Sequence, residues 1–90
     1  MMRLRWTLAA VHDLETIVGH IQKDNPEVAR KVAESTFDSL QKLLAFPGMG
    51  RPGKKSGTRE YVLPPYVIVY RIVAEFIELL RIWHGAQQRD

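Results

Sequence analysis

Apolar positions along the chain change period once, and that change divides it into a helical part and a sheet part. After Thr7, the residues Leu8, Val11, Leu14, Ile17, Val18 and Ile21 recur at three- and four-residue intervals, with Asp13 and Glu15 on the polar side. This spacing predicts an amphipathic helix, and Thr7 suits its N-cap. Asp24-Asn25-Pro26 then reads as a stop and a restart. Asn25 can cap the next helix, and Pro26 fits its first position, where a missing N–H leaves nothing unpaired. The second stripe is Ala29, Val32, Ala33, Thr36, Phe37, Leu40, Leu43 and Leu44, ending near Phe46. Two amphipathic helices with a short break between them predict an antiparallel helical hairpin.

From Pro47 to Gly57 the chain is dense in glycine and proline, which predicts loop. Arg59 to Leu63, Tyr66 to Val73 and Phe76 to Trp83 are rich in β-branched and aromatic residues and read as strands. Pro64-Pro65 forces a break between the first two, because it removes two backbone donors. Ala74-Glu75 separates the last two. Arg3 to Trp6 is a short candidate strand before the first helix. The expected class is therefore α+β, with a short N-terminal strand, an antiparallel helical hairpin and a three-strand antiparallel meander forming one sheet with the helices on one face.

A hairpin centred on Ala74-Glu75 places Val73 opposite Phe76, Arg71 opposite Glu78, Val69 opposite Leu80 and Val67 opposite Ile82. The opposed Arg–Glu pair supports that register. One face then carries Val67, Val69, Arg71, Glu78, Leu80 and Ile82. The other carries Tyr66, Ile68, Tyr70, Ile72, Ile77, Leu79, Arg81 and Trp83. The second set is bulkier and is expected to pack on the helices, leaving the first as a half-apolar groove. A slip of one residue would exchange the two sets.

Ninety residues make one domain, taken as 1–90, with a small core. No cysteine is present, so disulfides, thiolate nucleophiles and cysteine–zinc sites are excluded; this fits a reducing cytoplasm. No N-terminal apolar run suggests a secretory signal or a membrane span. The net charge of +3 is modest, but its distribution is uneven. Every charge between Met49 and Arg59 is positive: Arg51, Lys54, Lys55 and Arg59. Such a loop suits RNA, a ribosome or an acidic peptide.

Candidate chemistry lies around that loop and the last strand. Arg59 opens a strand after a glycine loop, where a cation meets a phosphate or a partner carboxylate, or simply pairs with Glu60 or a helix acid. Lys54 and Lys55 either grip such a partner or form a solvated loop. Arg81 and His84 close the last strand; a histidine there can serve as general acid or base, although a lone histidine is more often structural. His12 and His20 are eight apart, which is no metal-ligand spacing, and no histidine–carboxylate cluster suggests a metal. No cofactor is expected. The strand aromatics Tyr61, Tyr66, Tyr70 and Trp83 can stack on bases, but alternating strand aromatics are usually core.

Several local patterns, in order, resemble the RelE/ParE superfamily of bacterial toxins from toxin–antitoxin pairs. They are Trp6-Thr7 with Asp13-Leu14, Asn25-Pro26, Pro47-Gly48-Met49-Gly50-Arg51, Gly57-Thr58-Arg59-Glu60, Tyr66-Val67-Ile68-Val69-Tyr70-Arg71 and Leu80-Arg81-Ile82-Trp83-His84-Gly85-Ala86. Together they cover nearly the whole chain. The resemblance implies the toxin of a type II module with a cognate antitoxin as partner in a hetero-oligomer. RelE-like members cut mRNA in the ribosomal A site, whereas ParE-like members poison DNA gyrase by binding. Nuclease members typically place an arginine directly after the first strand tyrosine and end in a late tyrosine. Here that position is Val67, and Trp83-His84 is followed by Gly85-Ala86-Gln87-Gln88-Arg89, closer to a ParE-like ending. The resemblance thus points to a non-enzymatic gyrase inhibitor, with a ribosome-dependent endoribonuclease, or an inactive member retaining antitoxin binding, as the alternatives. If the chain is a nuclease, its implied catalytic set is Lys54, Lys55, Arg59, Arg81 and His84. The expected partner-binding set is Arg51, Lys54, Lys55, Arg59, Val67, Val69, Arg71, Leu80 and Ile82.

Overall fold

The computed structural model describes residues 1–85. Strand β1 (Arg3–Trp6) leads into helices α1 (Leu8–Asp24) and α2 (Pro26–Ala45). A short 3-10 turn (Pro47–Met49) follows, then β2 (Arg51–Pro52), β3 (Arg59–Leu63), β4 (Tyr66–Val73) and β5 (Phe76–His84). The helix boundaries follow from the capping chemistry. Thr7 Oγ1 accepts a hydrogen bond from the Ala10 N–H, and the Asn25 carboxamide oxygen accepts from the Val28 N–H.

The strands form one sheet in the order β1-β5-β4-β3-β2. The meander β3–β4–β5 is antiparallel, and β1 joins it as a parallel neighbour of β5. The expected three-strand meander is thus present, extended at both ends. The two-residue β2 lies inside the segment expected to be loop, pairing Arg51 with Glu60 and Pro52 with Arg59. Pro52 has no N–H to offer a ladder, which fits this edge position.

One side of the sheet is covered by the helical hairpin. The core gathers Ala10, Leu40, Leu43, Ile68, Tyr70, Ile77, Leu79 and Ile82. Leu8 and Phe37, both expected on the apolar stripes, are instead 88% and 61% exposed. Leu8 opens α1, and Phe37 lies to the side of the buried line formed by Thr36, Leu40 and Leu43. Thr36 and Ser39 are buried, and their hydroxyls donate to the carbonyls of Val32 and Ser35 one turn back.

The hairpin register starts as expected: Val73 faces Phe76, Arg71 faces Glu78, and Tyr70 faces Leu79. The two-residue connection holds Ala74 at φ 53°, in the left-handed region that such tight turns require. Then the register shifts. Val69 faces Arg81, Ile68 faces Ile82 and Val67 faces Trp83, so Leu80 is an extra residue in β5. A β-bulge of this kind turns the following side chains over. The assigned faces are therefore corrected beyond Leu79: Ile82 belongs to the helix-covered core at 4% exposure, while Arg81 and Trp83 move to the opposite face.

The buried Tyr70 anchors the basic loop from below. Its hydroxyl donates to the Pro47 carbonyl (2.7 Å) and accepts from the Gly50 N–H (2.9 Å). Gly50 is packed so closely that a Cβ would stand 2.6 Å from the Tyr70 hydroxyl and 2.8 Å from the Glu60 carbonyl. Tyr70→Phe leaves the buried Gly50 N–H without its partner. It is expected to lower the unfolding free energy by about 1–3 kcal/mol in urea titration, the range for stranding a buried donor.

Candidate functional site

Glu60, Val69, Leu80, Arg81 and Trp83 line a hollow on the sheet face turned away from the helices, and the basic loop contributes Lys54, Lys55 and Thr58 to its rim. The bulge builds this site. Both Leu80 and Arg81 fall against Val69, and Trp83 follows on the same face opposite Val67. An unbulged strand would turn Arg81 and Trp83 into the core.

The hollow's floor is apolar, and the charges of Glu60 and Arg81 are already engaged. Glu60 is 7% exposed, and Arg51 donates to one of its oxygens from Nε (3.1 Å) and Nη2 (2.9 Å). Arg81 lies over the Trp83 ring, 4.2 Å from its centroid. It also grips Asp13 of α1 in a two-pronged pair, Nε to Oδ2 at 2.7 Å and Nη2 to Oδ1 at 2.9 Å. The Ile82 N–H donates to the same Oδ2 at 2.9 Å. Asp13 thus takes the place of a strand neighbour, because β1 stops at Trp6, opposite Leu79. Thr7 helps at the same junction: its hydroxyl faces the carbonyls of Leu79 (2.7 Å) and Leu80 (3.2 Å).

Burial pushes the Asp13 carboxyl up, but the hydrogen bonds from Arg81 and the Ile82 N–H, with the charges of Arg81 and His12, outweigh it and hold the pKa below the usual value. Hydrogen bonding to Asp13 holds Arg81 above its usual value. The pair is therefore a locked ion pair across α1 and β5 at neutral pH.

The remaining sequence candidates divide. Lys54 and Lys55 are exposed at the hollow's rim, and Val69 and Leu80 are half-buried in it. Arg71 lies on the same sheet face, paired with Glu78 at 2.6 Å, and Val67 is 4% exposed opposite Trp83. Arg59 pairs with neither Glu60 nor a helix acid. It donates to the carbonyls of Gly48 (2.9 Å) and Gly50 (2.6 and 3.0 Å), clamping the 3-10 turn to the start of β3. His84 sits edge-on to Tyr66, ring centroids 5.7 Å apart, and lines a different cleft. The five basic residues named as a catalytic set are therefore not brought together: Lys54, Lys55 and Arg81 share the hollow, while Arg59 and His84 do not line it. Ile82, expected to bind a partner, is core instead. Asp13 and Glu60 were not singled out as binding residues, and Trp83 was weighed only as an aromatic that can stack on bases but is more often core. Asp13 lies on the polar side of the α1 stripe, and nothing in local sequence shows that it reaches β5. The ending Ala86-Gln87-Gln88-Arg89 lies outside the described residues. Among the described residues, no group of three or more histidine, aspartate or glutamate side chains could hold a metal ion, and no helix is long and apolar enough to cross a membrane.

Comparison with known proteins places this architecture. The chain is 41% identical over 88 residues to the protein Y4kP of Sinorhizobium fredii, covering 96% of this chain and 91% of that one. It is 30% identical over 87 residues to toxin RelE2 of Caulobacter vibrioides, covering 97% and 99% of the two chains. Among solved structures, a chain of the chromosomal ParDE toxin–antitoxin system from P. aeruginosa superposes with a TM-score of 0.80 at 33% identity, over 91% of this chain and 94% of that one. Residues 4–89 match the model of the ParE toxin of the parDE type II toxin–antitoxin system, and the chain belongs to this family of toxins.

Proposed function

We propose that the chain inhibits bacterial growth by binding DNA gyrase, and that a cognate antitoxin neutralises it by occupying the hollow on the open sheet face. The observation that carries this reading is the state of Arg81. Its guanidinium is held two-pronged by Asp13 and stacked on Trp83, so it is spent on architecture. Cleavage of RNA calls for donors aimed at the charge that develops on a phosphate, whereas the Nε and Nη2 donors of Arg81 are turned to Asp13. Position 67, directly after Tyr66, is a buried valine that supplies none. What the hollow offers is an apolar floor with a lysine rim, which suits an antitoxin segment that buries apolar side chains and sets its acids against Lys54 and Lys55. The 33%-identical ParDE neighbour comes from a toxin–antitoxin system, in keeping with that partner.

The purified chain is expected to block supercoiling of relaxed plasmid by gyrase, and addition of the antitoxin is expected to restore it. Full supercoiling in the presence of chain that arrests growth would overturn the gyrase assignment. The second reading, a ribosome-dependent endoribonuclease, draws on Lys54, Lys55 and Arg81 sharing one hollow.

A further inference from the structure

The hollow occupies one end of the open sheet face. At the other end, the alternation of β1 sets Arg3 and Arg5 on this face, because Leu4 and Trp6 pack on the core. Arg5, Glu78 and Arg71 are partners in a row across β1, β5 and β4, and Arg3 lies one step along, opposite Phe76. The neighbouring acids do not use these arginines up. Arg71 donates from Nε to Glu78 Oε1 at 2.6 Å. Arg5 stands 3.9 Å from Glu78 Oε2 and Arg3 stands 3.7 Å from Glu75 Oε2, both beyond hydrogen-bond range. The side chains of Arg3, Arg5 and Arg71 are 68%, 48% and 51% exposed, so three accessible guanidiniums make one hydrogen bond to two acids.

We propose that this arginine row binds the phosphodiester backbone of duplex nucleic acid. The site goes beyond the gyrase and antitoxin readings and depends on neither. Donor supply is the first argument. Each guanidinium carries five N–H donors in a planar fork suited to phosphate, and nearly all of them face solvent. Spacing is the second. Arg3 and Arg5 are about 7 Å apart along β1, and Arg5 and Arg71 are about 10 Å apart across two strand spacings, so each can take a different phosphate. The third is the field around the molecule. The helical hairpin holds six acids and four bases, while the rest of the chain holds nine bases and four acids, so a polyanion is drawn to the sheet side. A single strand, by contrast, is held by stacking its bases on open aromatic faces. The aromatic residue of this row, Phe76, has its ring covered by the Arg5 guanidinium, 4.0 Å from the centroid. The patch therefore offers cations to a backbone and no platform to a base.

Fluorescence anisotropy on the purified full chain tests this, with a short labelled DNA duplex of arbitrary sequence, its single strand and a matching RNA duplex as probes. Duplex binding is expected to weaken with salt and to be clearly tighter than single-strand binding. Arg3→Gln, Arg5→Gln and Arg71→Gln are each expected to weaken it about fivefold and to lower the salt slope by about one, as loss of one phosphate contact does. Arg3 is well exposed and outside hydrogen-bond range of Glu75, so Arg3→Gln keeps the fold, and unchanged thermal unfolding checks the other two. Arginine-dependent binding of either duplex supports the site and identifies which nucleic acid it takes. Absence of duplex binding, equal binding of the single strand, or a loss confined to a Lys54→Gln, Lys55→Gln double variant overturns it.

Discussion

Asp13→Ala is expected to lower the unfolding free energy by about 2 kcal/mol, from the value of hydrogen bonds to charged groups. The carboxylate side chain is 12% exposed, and its loss removes three acceptor contacts at once: two from Arg81 and one from the Ile82 N–H. The Arg81 side chain is 41% exposed and can turn to water, which keeps the cost below that of a fully buried pair. For a domain of this size the melting temperature is expected to fall by roughly 8–16 °C. The effect carries a pH signature. Because the Asp13 pKa is lowered by folding, its contribution is complete above the ordinary carboxylate value of 3.8 and is lost as pH falls through the lower folded value. The gap between wild type and Asp13→Ala should therefore be constant near neutrality and close in acid. A gap of the same size at pH 7 and at pH 2.5 would contradict the locked pair.

Trp83→Ala is expected to weaken antitoxin binding by roughly 30- to 150-fold, as loss of a central aromatic anchor of about 2–3 kcal/mol does. Trp83 lines the open-face hollow and supports the Arg81 guanidinium, so its removal opens one side of the hollow. It lies opposite Val67 on the face away from the helices, so the packed core of Ile68, Tyr70, Ile77 and Leu79 is left in place. Affinity within threefold of wild type would mean that the antitoxin does not use this side of the hollow.

The start of β4 was legible from the Pro64-Pro65 break, and its end from the composition of the strands on either side of Ala74-Glu75, which is itself a weak turn pair. The helical hairpin was legible from Thr7 and Asn25, which cap as their side chains allow. The opposed Arg71 and Glu78 fixed the register near the turn correctly. Beyond Leu79 the same logic failed, because one extra residue in a strand leaves no mark in an alternating apolar run. Leu80-Arg81-Ile82-Trp83 reads equally well with either set of side chains inward. The tertiary partners decide it, with Thr7 and Asp13 meeting the β5 backbone where β1 ends, and those contacts span 68 to 73 residues of sequence. Arg59 shows the same limit in another form. A cation after a glycine loop suggested a ligand, yet it serves the loop's own carbonyls. Arg59→Ala is accordingly expected to loosen the Pro47–Gly57 loop, seen as faster amide exchange there, before it alters any partner contact directly.

Under the function proposed above, this toxin acts by binding and not by cutting RNA. The most direct test is to add the purified chain to ribosomes translating a defined mRNA and to map cleavage by primer extension. Intact mRNA is expected from a preparation that arrests growth. New 3′ ends within the A-site codon would contradict it and would require Arg81 to leave Asp13 during the reaction.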